Sequence, residues 1–207
     1  MAECFASPRL QGRFLRLEPL APTHGADLLA AGDPETFEFM PAHPRTWDER
    51  GVRAYIEDLL ARGRHTALAV IDRASGRAIG SSSYADIRTE HRGLEIGYTW
   101  IGAAYRGGVA NAEMKRLMLA HVFETDVFPG GPAIRVMLKT DELNIRSQRA
   151  MEKIGARREG VLRNHLIMPS GRVRHSAVYS VTVEDWTGVR TRLDARIAGA
   201  ESILPGG

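Results

Sequence analysis

A single cysteine, Cys4, is the whole thiol content of this chain of 207 residues. One thiol closes no internal disulfide and builds no thiolate metal cluster, so a cytoplasmic setting is the expectation. Cys4 sits in residues 1–12, which read as a flexible tail, where an exposed thiol without a role is the ordinary case. Lysine is scarce too. Of 28 basic residues only Lys115, Lys139 and Lys153 are lysines. Arginine does not lose its proton, so the basic balance partly reflects residue choice. No apolar run approaches about 20 residues, so no helix is expected to cross a membrane. The opening, MAECFASPRLQGR, lacks the basic start and apolar core of a secretion signal. Neither HExxH nor CxxC occurs, and no metal is expected. The net charge of +3 is spread along the chain. That gives little support to a nucleic-acid partner but is compatible with a local site for a phosphorylated ligand.

The chain otherwise has the balance of an ordinary soluble domain, with 43% apolar and 26% charged residues. Its length suits one domain over 1–207. RFLRLEPL alternates as a first strand. APTHGADLLAAG follows as a short helix with Thr23 as a possible N-cap. TWDERGVRAYIEDLLARG starts with a capping-box pattern, Thr46 and Glu49. HTALAVID, AIGSSSYADI and GLEIGYTWI are strands. In the last of these, Leu94, Ile96, Tyr98 and Trp100 should face one way, and Glu95, Gly97, Thr99 and Ile101 the other. A glycine loop and helix, the strand PAIRVMLKT, the helix NIRSQRAMEKIG, a hairpin across PSG and a helix over 184–200 complete the chain. The order implies an α+β domain with a mixed sheet of about seven strands flanked by helices, not a regular βαβ alternation.

The stretch AAYRGGVANAEMKRLMLAHVFE, residues 103–124, carries the first chemical signal. The first N–H groups of a helix have no partner inside it and, with the helix dipole, suit an anion. Gly107 and Gly108 let a phosphate approach the backbone, and Arg106 can add a charge-assisted contact. The loop is neither a Walker loop nor GxGxxG. Taken with LEIGYTWIGAAYRGGVANAE and LKTDELNIRSQRAMEKIGARREGVLR, it resembles the GNAT N-acyltransferases, closest to their RimJ and RimL branch. The resemblance runs from GRFLRLEPL through RHSAVYSV.

It implies acetyl-CoA as the donor cosubstrate. The pyrophosphate would lie on Arg106, Gly107, Gly108, Val109, Ala110 and Asn111, with the pantetheine arm paired to the backbone of Trp100 and Ile101. Asn144 and Ser147, three apart on one helix face, could reach the ligand together. Asn144 is equally well placed to cap its helix. One departure stands out. The family loop usually reads Arg-Gly-x-Gly-x-Ala, and Val109 occupies the second glycine's place. Val is β-branched and dislikes positive φ. Either the backbone there is helical, which Val tolerates and which is the expectation, or phosphate approach is hindered.

Acetyl transfer from a thioester to an amine needs a neutral amine, N–H donors for the oxyanion and a proton for the leaving thiolate. Glu95, six residues before Ile101 and so about 20 Å upstream, resembles the family's strand glutamate acting as base through water. Many enzymes of the family carry a tyrosine acid seven residues after the equivalent of Asn144; here that position is Met151, and the resemblance to the RimL branch implies Ser147 as the substitute. His165 and His175 on the hairpin are further candidates. Phe37, Phe39, Met40 and Trp47 would wall the acceptor pocket. The reading is an N-acetyltransferase acting on a primary amine, a protein N-terminus or a small molecule, by direct transfer in a ternary complex, with a homodimer allowed. Val109 and the absent tyrosine motivate an alternative, a non-catalytic acyl-CoA-binding module.

Overall fold

The computed structural model describes residues 7–201 and 203–204; Cys4 lies outside them. Eight strands form one mixed sheet: β1 (Leu10–Gln11), β2 (Leu15–Pro19), β3 (Thr66–Asp72), β4 (Ala78–Arg88), β5 (Gly93–Ile101), β6 (Arg135–Asp141), β7 (Arg157–Ile167) and β8 (Val173–Thr182). Their order is β1-β2-β3-β4-β5-β6-β8-β7. The eighth strand, one more than expected, is the end of the expected tail: Leu10 pairs with Leu17 and Gln11 with Arg16. Five helices flank the sheet: α1 (Gly25–Ala31), α2 (Glu49–Ala61), α3 (Ala110–Glu124), α4 (Ile145–Ile154) and α5 (Val183–Ala198).

Two helix starts differ from expectation. Asp48, not Thr46, caps α2: its carboxylate accepts the Gly51 N–H at 2.7 Å. Thr23 lies inside a 3-10 turn, Pro22–His24, that runs directly into α1.

The strands' two-residue period sorts side chains into two cores. On β3, Leu68 and Val70 join the larger core with Met114, Met118 and Leu193 of α3 and α5. Ala67, Ala69 and Ile71 point to the other face and pack with Leu28, Ile56 and Leu59 of α1 and α2. Glu113 ties α3 to the start of β2. Its buried carboxylate accepts the backbone N–H groups of Arg13, Phe14 and Leu15 at 2.6–3.2 Å. A Cβ on Gly12 would stand 2.7 Å from that carboxyl carbon, so a side chain there would push the carboxylate off these N–H groups.

Two irregularities in β5 open the sheet. Ser81 pairs with Trp100 and Ser83 with Gly97, so Tyr98 and Thr99 together oppose Ser82. This is a β-bulge, and Tyr98 takes a left-handed φ of 50°. The extra residue breaks the expected alternation. Leu94, Ile96 and Ile101 share the α3 core, while Tyr98 and Trp100 pack on the α2 side. Furthermore, β5 pairs with β6 in parallel only over Gly93–Glu95 and Arg135–Met137. Every other neighbouring pair is antiparallel. Beyond Glu95 the two strands are unpaired and part.

Candidate functional site

The gap between β5 and β6 belongs to a cavity of about 740 Å³. Both faces of the sheet line it. Met151 and Ile154 of α4 come from one side, and Phe39 and Met40 from the segment before α2 on the other. The glycine loop lies at one end. Gly107 has φ +85°, a left-handed conformation that favours glycine. Val109 has φ −83° and ψ −12°, ordinary helical values, and its side chain is buried in the core. The helical alternative for Val109 is the observed one. The Arg106 guanidinium donates to the Ile101 carbonyl at 3.1 Å and to Thr36 Oγ1 at 2.8 Å. Burial, with help from nearby Arg146, pushes its pKa down. Gly108 and Asn111 also line the cavity, whereas Ala110 is fully buried behind them.

Trp100 and Ile101 line the cavity, and the Trp100 indole is buried with its ring centroid 5.2 Å from that of Phe37. Across the gap, Asn144 caps α4 by accepting the Ser147 N–H at 3.0 Å, and both residues line the cavity. Met151 lines it as well, so no hydroxyl stands at that position.

Glu95 is nearly buried and lines the cavity. Its Oε2 lies 2.9 Å from Lys139 Nζ. Its side chain folds back across Gly97, where a Cβ would come within 2.6 Å of Oε1. His165 lines the same cavity with Nδ1 2.9 Å from Ser176 Oγ. Burial, then Lys139 and Arg174, lower its pKa. His175 is not among the cavity residues; its Nδ1 accepts the Asn164 N–H and holds the hairpin. Phe39 and Met40 line the cavity as expected. Phe37 is buried between Trp47, Tyr55 and Trp100. Trp47 borders a smaller, separate cavity of about 290 Å³.

Among the cavity residues that escaped the sequence reading, which include Lys139, Arg146 and Arg149, two buried cations stand out. Lys115, on α3, is buried and donates to Thr99 Oγ1 at 3.0 Å, which is 2.7 Å from Ser82 Oγ. Desolvation lowers its pKa to about 7, against the opposing pull of Glu95. The signal was a lysine at helical spacing with Leu119 and Val122 on an inward face. Arg174 of β8 is also buried and bonds Ser176 Oγ and the Phe39 carbonyl. A strand of alternating residues gave it no more weight than the arginines around it.

Geometrically the site fits coenzyme A. It offers a helix N-terminus behind a glycine turn, a strand edge released from its neighbour and a basic rim that includes Arg106, Arg146 and Arg149. Among the described residues no group of three or more His, Cys, Asp or Glu could hold a metal ion, and no helix is long and apolar enough to cross a membrane.

Comparison with known proteins agrees with this geometry. Residues 15–157 match the family model described as an acetyltransferase (GNAT) domain. One solved structure, described as a candidate acetyltransferase, is 41% identical, with 94% of this chain and 97% of that one covered and a TM-score of 0.86. A second of the same description, from T. thermophilus, is 40% identical over 93% and 98% of the two chains, with a TM-score of 0.85. RimJ of Mycobacterium smegmatis, solved with CoA-disulfide, is 20% identical over 91% and 93%, with a TM-score of 0.70, and shares the fold. No curated protein matches the chain.

Proposed function

Since this chain belongs to the GNAT family and is an acyl-CoA-dependent acetyltransferase, we propose that it moves the acetyl group directly to a primary amine held beside Glu95. The observation that carries this reading is the parting of β5 from β6 just past Glu95. It leaves one carboxylate where a strand-bound thioester arm would end. The amides of Gly107–Asn111 would hold the pyrophosphate, and the free β5 edge leading to Trp100 and Ile101 would pair with the pantetheine arm. Asn144 and Ser147 contribute from the facing helix. Coenzyme A supplies the activated acetyl group as a thioester when bound.

Glu95 accepts a proton from the amine, directly or through one water, as the C–N bond forms. The C–S bond then breaks and the thiolate needs a proton. Met151 cannot give one, and a serine hydroxyl at Ser147 is a weak acid. Lys115, buried and titrating near neutrality, is the stronger candidate. It passes a proton to sulfur and regains it from solvent. Gly97 and Lys139 are positioning residues, since they act through the Glu95 carboxylate.

The test is thiol release from acetyl-CoA by purified protein over a panel of amines. Amine-dependent release with a matching acetylated product supports the reading. Coenzyme binding without release from any amine overturns it.

A further inference from the structure

The acceptor end of the cavity has an unusual charge balance. From β5 it receives Glu95, from β6 Lys139, from β7 His165 and from β8 Arg174. Glu95 is already paired with Lys139 at 2.9 Å. Asp141, the next carboxylate on β6, is buried, paired with Arg172, and accepts the Leu143 N–H at 3.0 Å. Leaving aside His165 and Lys115, whose pKa values burial lowers, three cations, Lys139, Arg172 and Arg174, thus meet two carboxylates, both of which are engaged. Of the three, Arg174 has no ion pair. Its Nε donates to Ser176 Oγ at 3.0 Å and its Nη1 to the Phe39 carbonyl at 3.1 Å. Both of these hydrogen-bond partners are neutral; Asp141 and Glu95 attract its charge without forming an ion pair with it, and Nη2 has no hydrogen-bond partner among the described residues. Arg174 is 5% exposed and lines the cavity. A buried cation without an ion-pair partner of its own is costly unless an anion joins it. Phe39 and Met40 wall the same end with apolar surface.

We propose that the acceptor is an amine that also carries a carboxylate, with Arg174 gripping the carboxylate while the amine faces Glu95. The inference rests on the acetyl-transfer reading above and narrows its substrate class. A guanidinium can bind a carboxylate through charge-assisted hydrogen bonds. A polyamine or other polycation would bring further positive charge to a site with a positive surplus, which disfavours it. Two sources could supply the carboxylate: a free amino acid, or an acidic side chain near a peptide N-terminus.

The wild-type protein with acetyl-CoA decides the matter by thiol release. One arm compares alanine, leucine, methionine and phenylalanine with their amides and decarboxylated amines, and with spermidine, per neutral amine. A second arm compares peptides that differ only in Asp or Asn at the second position. The carboxylate form in at least one arm is expected to lead in kcat/KM by roughly 10- to 100-fold, the span of one hydrogen bond to a charged group. The arm that shows the preference identifies the source. Arg174→Gln should shrink that ratio toward one, and Arg174→Lys should keep part of it. Equal or better turnover of the uncharged forms or of spermidine overturns the carboxylate-bearing acceptor but leaves acetyl transfer standing. A ratio untouched by Arg174→Gln removes Arg174 from the role, even if all rates fall. Release from none of these amines counts against both readings.

Discussion

Glu95 owes its place to a missing side chain two residues on. A methyl group at position 97 would lie 2.6 Å from Oε1, so the carboxylate would have to leave its perch over the strand and its pair with Lys139. Glu95→Gln is expected to lower kcat by about 100-fold or more, the usual scale for a general base. Gly97→Ala should lower kcat in the same direction while the KM for acetyl-CoA stays near wild type. A mutant hurt only in coenzyme binding would contradict this positioning role. Lys115 makes a second prediction at this scale. Folded, it loses its proton near pH 7; unfolded, it keeps it to about pH 10.4. Between those values the unfolded chain binds more protons, so wild-type stability rises with pH. Lys115→Met should therefore be the more stable protein at pH 7, by roughly 1 to 4 kcal/mol on the scale of replaced buried charges. The advantage should shrink toward pH 10 in urea titrations. Wild type is expected to show a fall in kcat above about pH 7 at saturating acceptor, and the same variant should lose it. A pH-independent stability difference would mean that Lys115 titrates normally.

The elements that make the site divide into those the sequence spells out and those that depend on distant pairing. The glycine turn before α3 and the Asn144 cap on α4 were legible because a turn or cap is fixed by residues two or three apart. The bulge at Tyr98 was not. GLEIGYTWI alternates as a regular strand should, and only the register against β4 shows that Tyr98 and Thr99 share one partner. That slip sends Trp100 to the core opposite the expected one and brings Thr99 to Lys115. The Lys139 pair with Glu95 and the Arg174 contact with Phe39 span 44 and 135 residues of chain, beyond any local pattern. Val109 is the element-scale test. Because its backbone is already helical and its side chain is core, Val109→Gly should bring no gain in coenzyme affinity by calorimetry. It should cost about 1 to 3 kcal/mol of stability through lost burial and added backbone freedom. A clear tightening of coenzyme binding would revive the view that valine obstructs the phosphates.

For the molecule as a whole, the parting of β5 and β6 turns the sheet from a barrier into a passage. The proposed coenzyme end, at the glycine loop and α4, and the proposed acceptor end, at Phe39, Arg174 and His165, border one cavity. On the proposed reading each substrate would enter its own end and meet the other near Glu95, so neither would have to leave before the second binds. The only cysteine, Cys4, lies outside the described residues. Among the nucleophilic side chains that line the cavity are Ser147 and Lys115. Ser147 lacks an adjacent base among its hydrogen-bond partners, and Lys115 is confined by burial. Direct transfer then predicts intersecting initial-velocity lines when acetyl-CoA and amine are varied together. Intact mass after incubation with acetyl-CoA alone should remain that of the unmodified chain. Parallel lines together with an added acetyl group would assign a covalent relay instead, and mapping it to Lys115 or Ser147 would say which side chain carries it. Coenzyme A alone should also raise the melting temperature. At 100 times its dissociation constant the stabilisation is about 2.7 kcal/mol. For a chain of this length that is roughly 5 to 10 °C, and an unmoved transition would mean the gap between the strands does not hold the coenzyme.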